Sequence, residues 1–402
     1  MITFNRATAA CAATCLLLSI VPAEAQDAAP EPNVRDVVRF LVLNRAVNTG
    51  NPDLDLAAAE ATHDTITRAL LASVATTPIS TSSGGFTYRL NPSIGTVERA
   101  SDTFGTFYLE RALTSGAGQA SFGLTYQYAR YDSLDGNDLR SGDFVTVSTQ
   151  LVDESTPFDR ERLELRMSSR TTTFFANVGV SDRMDVGVAL PLVQLRINGL
   201  RVNDYRGEVV PQARASAVTT GFADIAVRTK VRLTPIESAG SIAAGVEARL
   251  PTGREEDLLG TGDLAMRFLG IASYEANRAG VYGNFILGAG GLGREVSYGG
   301  GVSLAPAPRF TVVGEVMLRK IAGIQNIVPD TQPHPTLTSP AGRTTRLVPS
   351  GEDATTGFSV VGFKWNVGGR WLVNTNVRFP LNDNGLTSQF TPAFSVDYSF
   401  GR

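Results

Sequence analysis

An all-β fold, a closed antiparallel barrel of about fourteen membrane-crossing strands within a range of twelve to sixteen, is predicted by three features of this 402-residue chain. The chain opens with an export signal and afterwards shows no apolar run near the ~18 residues that a membrane-crossing helix needs. From about Phe86 to Phe400 apolar and polar residues alternate with period two, the strand period, because successive side chains point to opposite faces of a pleated sheet. Short turns alternate along the chain with mostly longer connections, the loop asymmetry of an outer-membrane barrel. A two-sheet soluble sandwich shares the alternation but has no reason to sort its connections in this way.

Residues 1–25 are read as a signal peptide. Arg6 supplies the positive start, Ala7 to Val21 the apolar stretch, and Ala23-Glu24-Ala25 the small-residue cleavage site that leaves Gln26 as the new N-terminus. Both cysteines, Cys11 and Cys15, lie inside it, so the exported chain has neither disulfides nor thiolate metal sites. A formal net charge of −3 gives no sign of a nucleic-acid partner.

Residues 26–83 lack the strand alternation and carry a helical pattern instead. Asn51 can cap a helix with Pro52 at its first position and Asp53 and Asp55 near the positive end of the dipole, leading into "LAAAEATHDTITRALLASV". Ala59, Ile66, Leu70 and Val74 make only a narrow apolar stripe. A barrel of this size has a lumen wider than its own side chains can fill. The segment therefore either folds partly into the lumen as a hatch or docks as a helix on the periplasmic side.

The barrel is assigned to residues 84–402. "FTYRLNPSIGTVE" and "TFGTFYLERAL" open the series, and then come "QASFGLTYQYARY", "RLELRMSSRTTTFFANVGV", "RMDVGVALPLVQLRI" and "DIAVRTKVRL". "SIAAGVEARL", "DLAMRFLGIASYE", "GVYGNFILGAG", "REVSYGGGVSL", "RFTVVGEVMLRK", "TGFSVVGFKWNV", "RWLVNTNVRFPL" and "QFTPAFSVDYSF" complete it. Short turns such as "SDR", "EANRAG" and "PAP" mark one end, and the long connections Asn198 to Thr220, Pro251 to Gly262 and Ile321 to Thr355 are expected as loops on the exterior side.

Charge then assigns faces. In "DIAVRTKVRL", Ile225, Val227, Thr229, Val231 and Leu233 share one side, while Arg228, Lys230 and Arg232 share the other. A cation turned to lipid costs roughly 2–4 kcal/mol at the bilayer midplane, so the polar side should face the lumen. Glu247, Arg249, Glu315, Arg319, Asn374, Asn376 and Arg378 fall on the corresponding side of their strands and join the predicted lumen lining. The cationic stripe either borders an open path, where it would concentrate anions or carboxylate-bearing ligands, or is paired by Glu247 or by acidic residues of a hatch. Trp365 and Trp371 flank the turn "NVGGR" on the apolar side and are expected at the membrane interface.

The last strand, "AFSVDYSF", resembles the C-terminal strand by which outer-membrane proteins are recognised for assembly, with Gly401 and Arg402 added where that pattern usually stops at the aromatic residue. "GFADIAVRTKVRL", with "LPTGREEDLLGTGD" after it, is similar to the glycine-x-aspartate strand starts and LPTG loop of the outer-membrane family named for the meta-pathway of phenol degradation. That family is in turn distantly similar to the fatty-acid and aromatic-hydrocarbon channels. The resemblance implies a barrel in the bacterial outer membrane and uptake of small hydrophobic or aromatic compounds. Expected partners are outer-membrane lipid around the barrel, lipopolysaccharide bridged through divalent ions by the acidic connections, the barrel-assembly machinery at the C-terminal strand, and a small-molecule ligand.

An enzyme is not expected. Only His63 and His334 could serve a hydrolytic serine, and neither has a serine at a strand spacing of two. The acidic runs Arg254 to Asp257 and Asp132 to Asp138 lie in connections, and the second lacks the closing glutamate of a calcium loop. No cofactor or metal site is predicted. Two function classes remain: a channel or gated uptake pore, and a structural or surface-interaction barrel with a plugged lumen.

Overall fold

The computed structural model describes residues 32–45, 47–76, 85–91, 96–150, 159–235, 238, 240–337 and 342–400. The predicted signal peptide lies outside them. Two helices come first. Helix α1 (Val34–Leu43) is capped by Asn33, whose side chain accepts from the Asp36 amide at 2.8 Å. Its Val34, Val37, Val38, Leu41 and Val42 recur at helical spacing and are all buried. Helix α2 (Pro52–Val74) begins as its sequence suggests, with Asn51 accepting from the Leu54 amide at 3.2 Å and Pro52 in the first turn.

The strands come next in chain order. They are β1 (Tyr88–Asn91), β2 (Thr96–Arg99), β3 (Ala120–Tyr131), β4 (Ser133–Leu134), β5 (Asn137–Asp138), β6 (Val145–Thr149), β7 (Asp159–Ser181), β8 (Met184–Tyr205), β9 (Glu208–Phe222) and β10 (Ile225–Arg232). They continue with β11 (Gly240–Leu250), β12 (Ala265–Ala276), β13 (Ala279–Gly290), β14 (Glu295–Ala307), β15 (Phe310–Pro333), β16 (Arg343–Gly368), β17 (Trp371–Pro380), β18 (Leu386–Thr387) and β19 (Thr391–Phe400). Twelve of them, β3, β7, β8, β10 to β17 and β19, close an antiparallel ring, and β6 and β9 add two more strands to the same sheet. Closure is made by the C-terminal strand, with Phe400 opposite Ala120 and Ala393 opposite Gln127, so the ring has no free edge.

Fourteen strands therefore share the sheet, but not the fourteen segments read from the sequence. "FTYRLNPSIGTVE" forms the separate hairpin of β1 and β2. "TFGTFYLERAL" forms no strand: Thr103 to Ser115 is irregular backbone, almost wholly buried. Conversely, two of the expected loops are strands. Asn198 to Thr220 is the β8–β9 hairpin, turning at Arg206 and Gly207 with φ of 54° and 86°, and Ile321 to Thr355 is mostly the β15–β16 hairpin. Pro251 to Gly262 is a loop, as expected.

The physical reason for the extension is written in an inversion of polarity. On the lower part of β7 and β8 the outward residues are Val178, Val180, Val186, Val188, Leu190 and Leu192, while Asn177 and Asp185 point inward. Above the pair Thr172 and Leu192 the faces exchange character. Arg166, Arg170 and Arg196 turn outward, and Leu163, Leu165, Met167, Val193, Leu195 and Ile197 turn inward, all six buried. A strand greasy outside and polar inside belongs in a bilayer, whereas one polar outside and greasy inside belongs in water around a core. That upper core holds α1 and α2: Leu41, Ile66 and Leu70 pack with Leu163, Leu195 and Leu347. Gly199 leaves the space that the Leu41 side chain fills, since a Cβ there would lie 2.0 Å from its Cδ1.

Below the inversion an apolar belt runs round the outside, with Phe122, Ile242, Phe268, Val281, Phe285, Tyr298, Val302, Val312, Val361 and Phe394 among its exposed residues. So large an exposed apolar surface on a closed sheet is the lipid-facing surface of an outer-membrane barrel.

Candidate functional site: a filled lumen

The lumen is the concave, polar part of the molecule, and each wall strand contributes by parity. The structure places Arg228, Lys230 and Arg232 of β10, Glu247 and Arg249 of β11, Glu315 and Arg319 of β15, and Asn374, Asn376 and Arg378 of β17 on inward faces. Val227 and Val231 on the same strand as the cations, and Leu233 just after it, are exposed outward. Trp365 and Trp371 also point outward at the short-turn end, half exposed, with the Trp371 ring 4.7 Å from that of Tyr398.

The wall charges are coupled in a chain. Glu247 accepts from Arg228, from Arg249 Nε at 2.9 Å and from Arg267 Nη1 at 3.1 Å. Arg267 also donates to Glu295 at 2.7 Å, and Arg319 reaches the same Glu295 oxygen at 3.1 Å. Asn374 donates to Ser395 Oγ and Asp397 at 2.7 and 2.8 Å. Arg267 and Glu295, absent from the predicted lining, complete the ladder; their parity in "LAMRFLG" and "REVSYGG" was the signal that could have found them.

What the wall holds is the irregular segment Thr103 to Ser115. Buried backbone without a partner is costly, and a strand bent out of its sheet must find substitutes. Wall side chains supply them. Glu315 accepts the amides of Phe107, of Tyr108 at 3.0 Å and of Leu109 at 3.2 Å. Asn284 accepts the Glu110 amide at 2.6 Å and donates to its carbonyl at 2.8 Å. Ser273 accepts the Ala112 amide at 3.1 Å, Asp185 accepts that of Ser115, and Lys364 donates to the Thr106 carbonyl. Lys230 donates to the carbonyls of Arg111 and Leu113 at 3.0 and 2.9 Å.

The segment answers with its own charge. Glu110 pairs with Arg228 and stands 3.4 Å from Lys230, which also lies 3.7 Å from Asp185. Two of the three cations in the β10 stripe are thus paired inside the barrel, by Glu247 as the sequence allowed and by an acid of a segment read as a strand. Arg232, the third, donates to the Pro235 and Ser238 carbonyls and to Ser241 Oγ, and fastens the turn beneath. Leu109 fits a notch in β14: a Cβ on Gly299 or Gly301 would lie 2.8 or 2.9 Å from its methyl carbons. The "YGGG" run therefore makes room for the plug.

From above, α2 closes onto the same chamber. Arg319 donates to the Ala72 and Thr76 carbonyls at 3.4 and 3.3 Å and to Thr76 Oγ1 at 2.8 Å, and Arg249 reaches the Ala75 carbonyl at 3.3 Å. Cations at the C-terminal end of a helix also meet its negative dipole end. Between α2, the middle of β15 and β16 and the end of β17 at Pro380 lies a cavity of about 120 Å³.

The residues of the family-like motif are structural here. Asp224, 1 % exposed, accepts the amides of Gly253 and Thr261 at 3.0 and 2.9 Å, tying the "LPTG" loop to the break between β9 and β10. Across that break the inward parity changes from odd to even. The two histidines sit apart from the lumen coil. His63 contacts Asp64 and Thr67 on α2, and His334 accepts the amides of Thr336 and Leu337 at the tip of the β15–β16 hairpin.

No family model matches the chain, and no curated protein matches it. Among solved structures it is similar to the COG4313 outer membrane channel from Pseudomonas putida F1, at 12% identity and a TM-score of 0.47, over 72% of this chain and 98% of that one. It is similar to the KdgM porin at 8% identity, a TM-score of 0.36 and coverage of 70% and 99%. The CymD monoaromatic hydrocarbon channel is similar at 12% identity, a TM-score of 0.26 and coverage of 71% and 89%.

Proposed function

We propose that this protein is a gated outer-membrane uptake channel for small hydrophobic or aromatic compounds, opened by displacement of the lumen segment Thr103 to Ser115. The observation that carries the reading is how that segment is held. Its bonds to the wall are predominantly hydrogen bonds and ion pairs from side chains. Such bonds can be exchanged for bonds to water one at a time, while the apolar contacts of Phe107, Tyr108 and Leu109 with Val313, Met317 and Val360, and of Ala112 with Leu269 and Ile271, are given up together as the segment leaves. A barrel of this width with a removable filling conducts; one with a permanent core does not.

The alternative, a structural barrel with no transport, is supported by the apolar packing of α1 and α2 in the upper half. The two readings separate in a planar bilayer. Glu110→Gln together with Glu315→Gln removes anchors from the segment and leaves every barrel ladder intact. The pair should raise the frequency and size of openings over the wild-type chain. A double variant that still migrates as a folded barrel and stays silent supports the structural reading. In cells, the channel reading expects deletion of the gene to slow growth on an imported hydrophobic carbon source.

A further inference from the structure

Most charges in the lumen have partners, and Arg378 is the exception that points to a ligand. Among the described residues its guanidinium makes no hydrogen bond and no ion pair; it lies 5.2 Å from the centroid of the Phe358 ring. It opens onto the cavity of about 120 Å³ beneath α2, together with Arg319. The rest of the lining is largely apolar, including Ile321, Ile324, Phe358 and Leu386, and it contains no aspartate or glutamate. Arg319 is paired with Glu295, so the cavity combines a largely apolar body with one guanidinium, that of Arg378, that no lining carboxylate neutralises.

We propose that this cavity binds a compact monocarboxylate with an aromatic or similarly sized apolar body, its carboxylate on Arg378 and its ring among Ile321, Ile324 and Leu386. An apolar cavity of about 150 Å³ accepts one benzene ring, so at about 120 Å³ this one admits a ring of that size with a small outward shift of its lining. Geometry agrees as well, because a guanidinium presents a planar fork matched to a carboxylate. The inference rests on the channel reading and names its substrate class.

The site also touches the lumen segment and the helix above it. Phe358 packs edge-on against Tyr108 of the lumen segment, ring centroids 5.9 Å apart. Arg319 holds the C-terminal carbonyls of α2.

The test uses the full chain folded in detergent, titrated calorimetrically with benzoate and with benzamide, its neutral isostere. The wild type should bind benzoate about ten- to a hundredfold more tightly than benzamide, the worth of one charge-assisted bond. Arg378→Gln should lose most of that preference, and Arg378→Lys should keep part of it. Equal binding of the two compounds by the wild type, or no heat with benzoate, overturns the assignment without requiring any variant to fold. So does an undiminished preference in Arg378→Gln. Failure here with a conducting double variant in the bilayer removes the ligand and leaves the channel. A benzoate preference in a chain that never conducts keeps the binding site and removes the channel.

Discussion

Lys230 shows at one residue how the filled lumen is stabilised. Its ammonium is 1 % exposed and serves two carbonyls of the lumen segment and two carboxylates, Glu110 and Asp185. Removing one member of a buried charged group costs about 3–5 kcal/mol, because the charge left behind is neither paired nor solvated. Lys230→Gln is therefore expected to lower the urea midpoint of the folded barrel far more than Thr229→Ser, its outward neighbour. Asp55 gives the corresponding prediction for pH. Burial pushes its carboxyl up, but bonds from Thr49 and Arg346 outweigh burial and hold it below its ordinary value of 3.8. A folded value below the unfolded one means that the contribution is present above the unfolded value and is lost as pH falls through the folded one. Protease cleavage within α2 should thus stay constant at neutral and mildly acidic pH and rise only below the ordinary carboxylate range. In Asp55→Asn that rise should be absent.

At the scale of the element, the polarity inversion on β7 and β8 sets the bilayer boundary. Val188→Arg, within the belt, is expected to cost about 2–4 kcal/mol of folding into phospholipid vesicles, falling toward zero for Asn198→Arg above it. Equal costs at both positions would place the boundary elsewhere. The glycine notch in β14 makes a second prediction. Gly301→Val puts methyl groups where Leu109 now sits, with a Cβ already only 2.9 Å from it. On the ladder the same Cβ would lie 3.1 Å from the Gly314 carbonyl oxygen and from Glu315 Cγ, contacts that a shift of a few tenths of an ångström relieves, so the ring should form while the lumen segment is displaced. Higher conductance with unchanged barrel mobility is the expected readout, and restoration by Leu109→Ala in the same chain would assign the effect to that contact.

For the whole molecule, closure between β3 and β19 leaves no edge from which the sheet can peel. The folded chain should therefore run at a different apparent mass unheated than boiled, and should partition with outer-membrane fractions. The long hairpins rise from one end of the ring and the short turns from the other. A tag inserted at Gly207, in the β8–β9 turn, should be labelled on intact cells, and labelling only after permeabilisation would invert the orientation.

The sequence by itself determined the sheet, its lipid-facing side and the inward parity of residues such as Arg228, Glu247 and Arg319, because strand periodicity is local and a misplaced charge in lipid is costly enough to fix the register. It also showed the start of α2, since Asn51, Pro52 and the first-turn aspartates act within one turn of helix. Only the tertiary structure decided that Thr103 to Ser115 leaves the sheet. That segment alternates enough to pass for a strand, and its backbone is satisfied by Glu315, Asn284, Ser273, Lys230, Asp185 and Lys364, residues from strands far apart in the chain. The same holds for Asn198 to Thr220 and Ile321 to Thr355. Their outward faces are too polar for a membrane strand, and what makes them strands is the apolar inner face that α1 and α2 cover, a core assembled by contacts that no local period encodes.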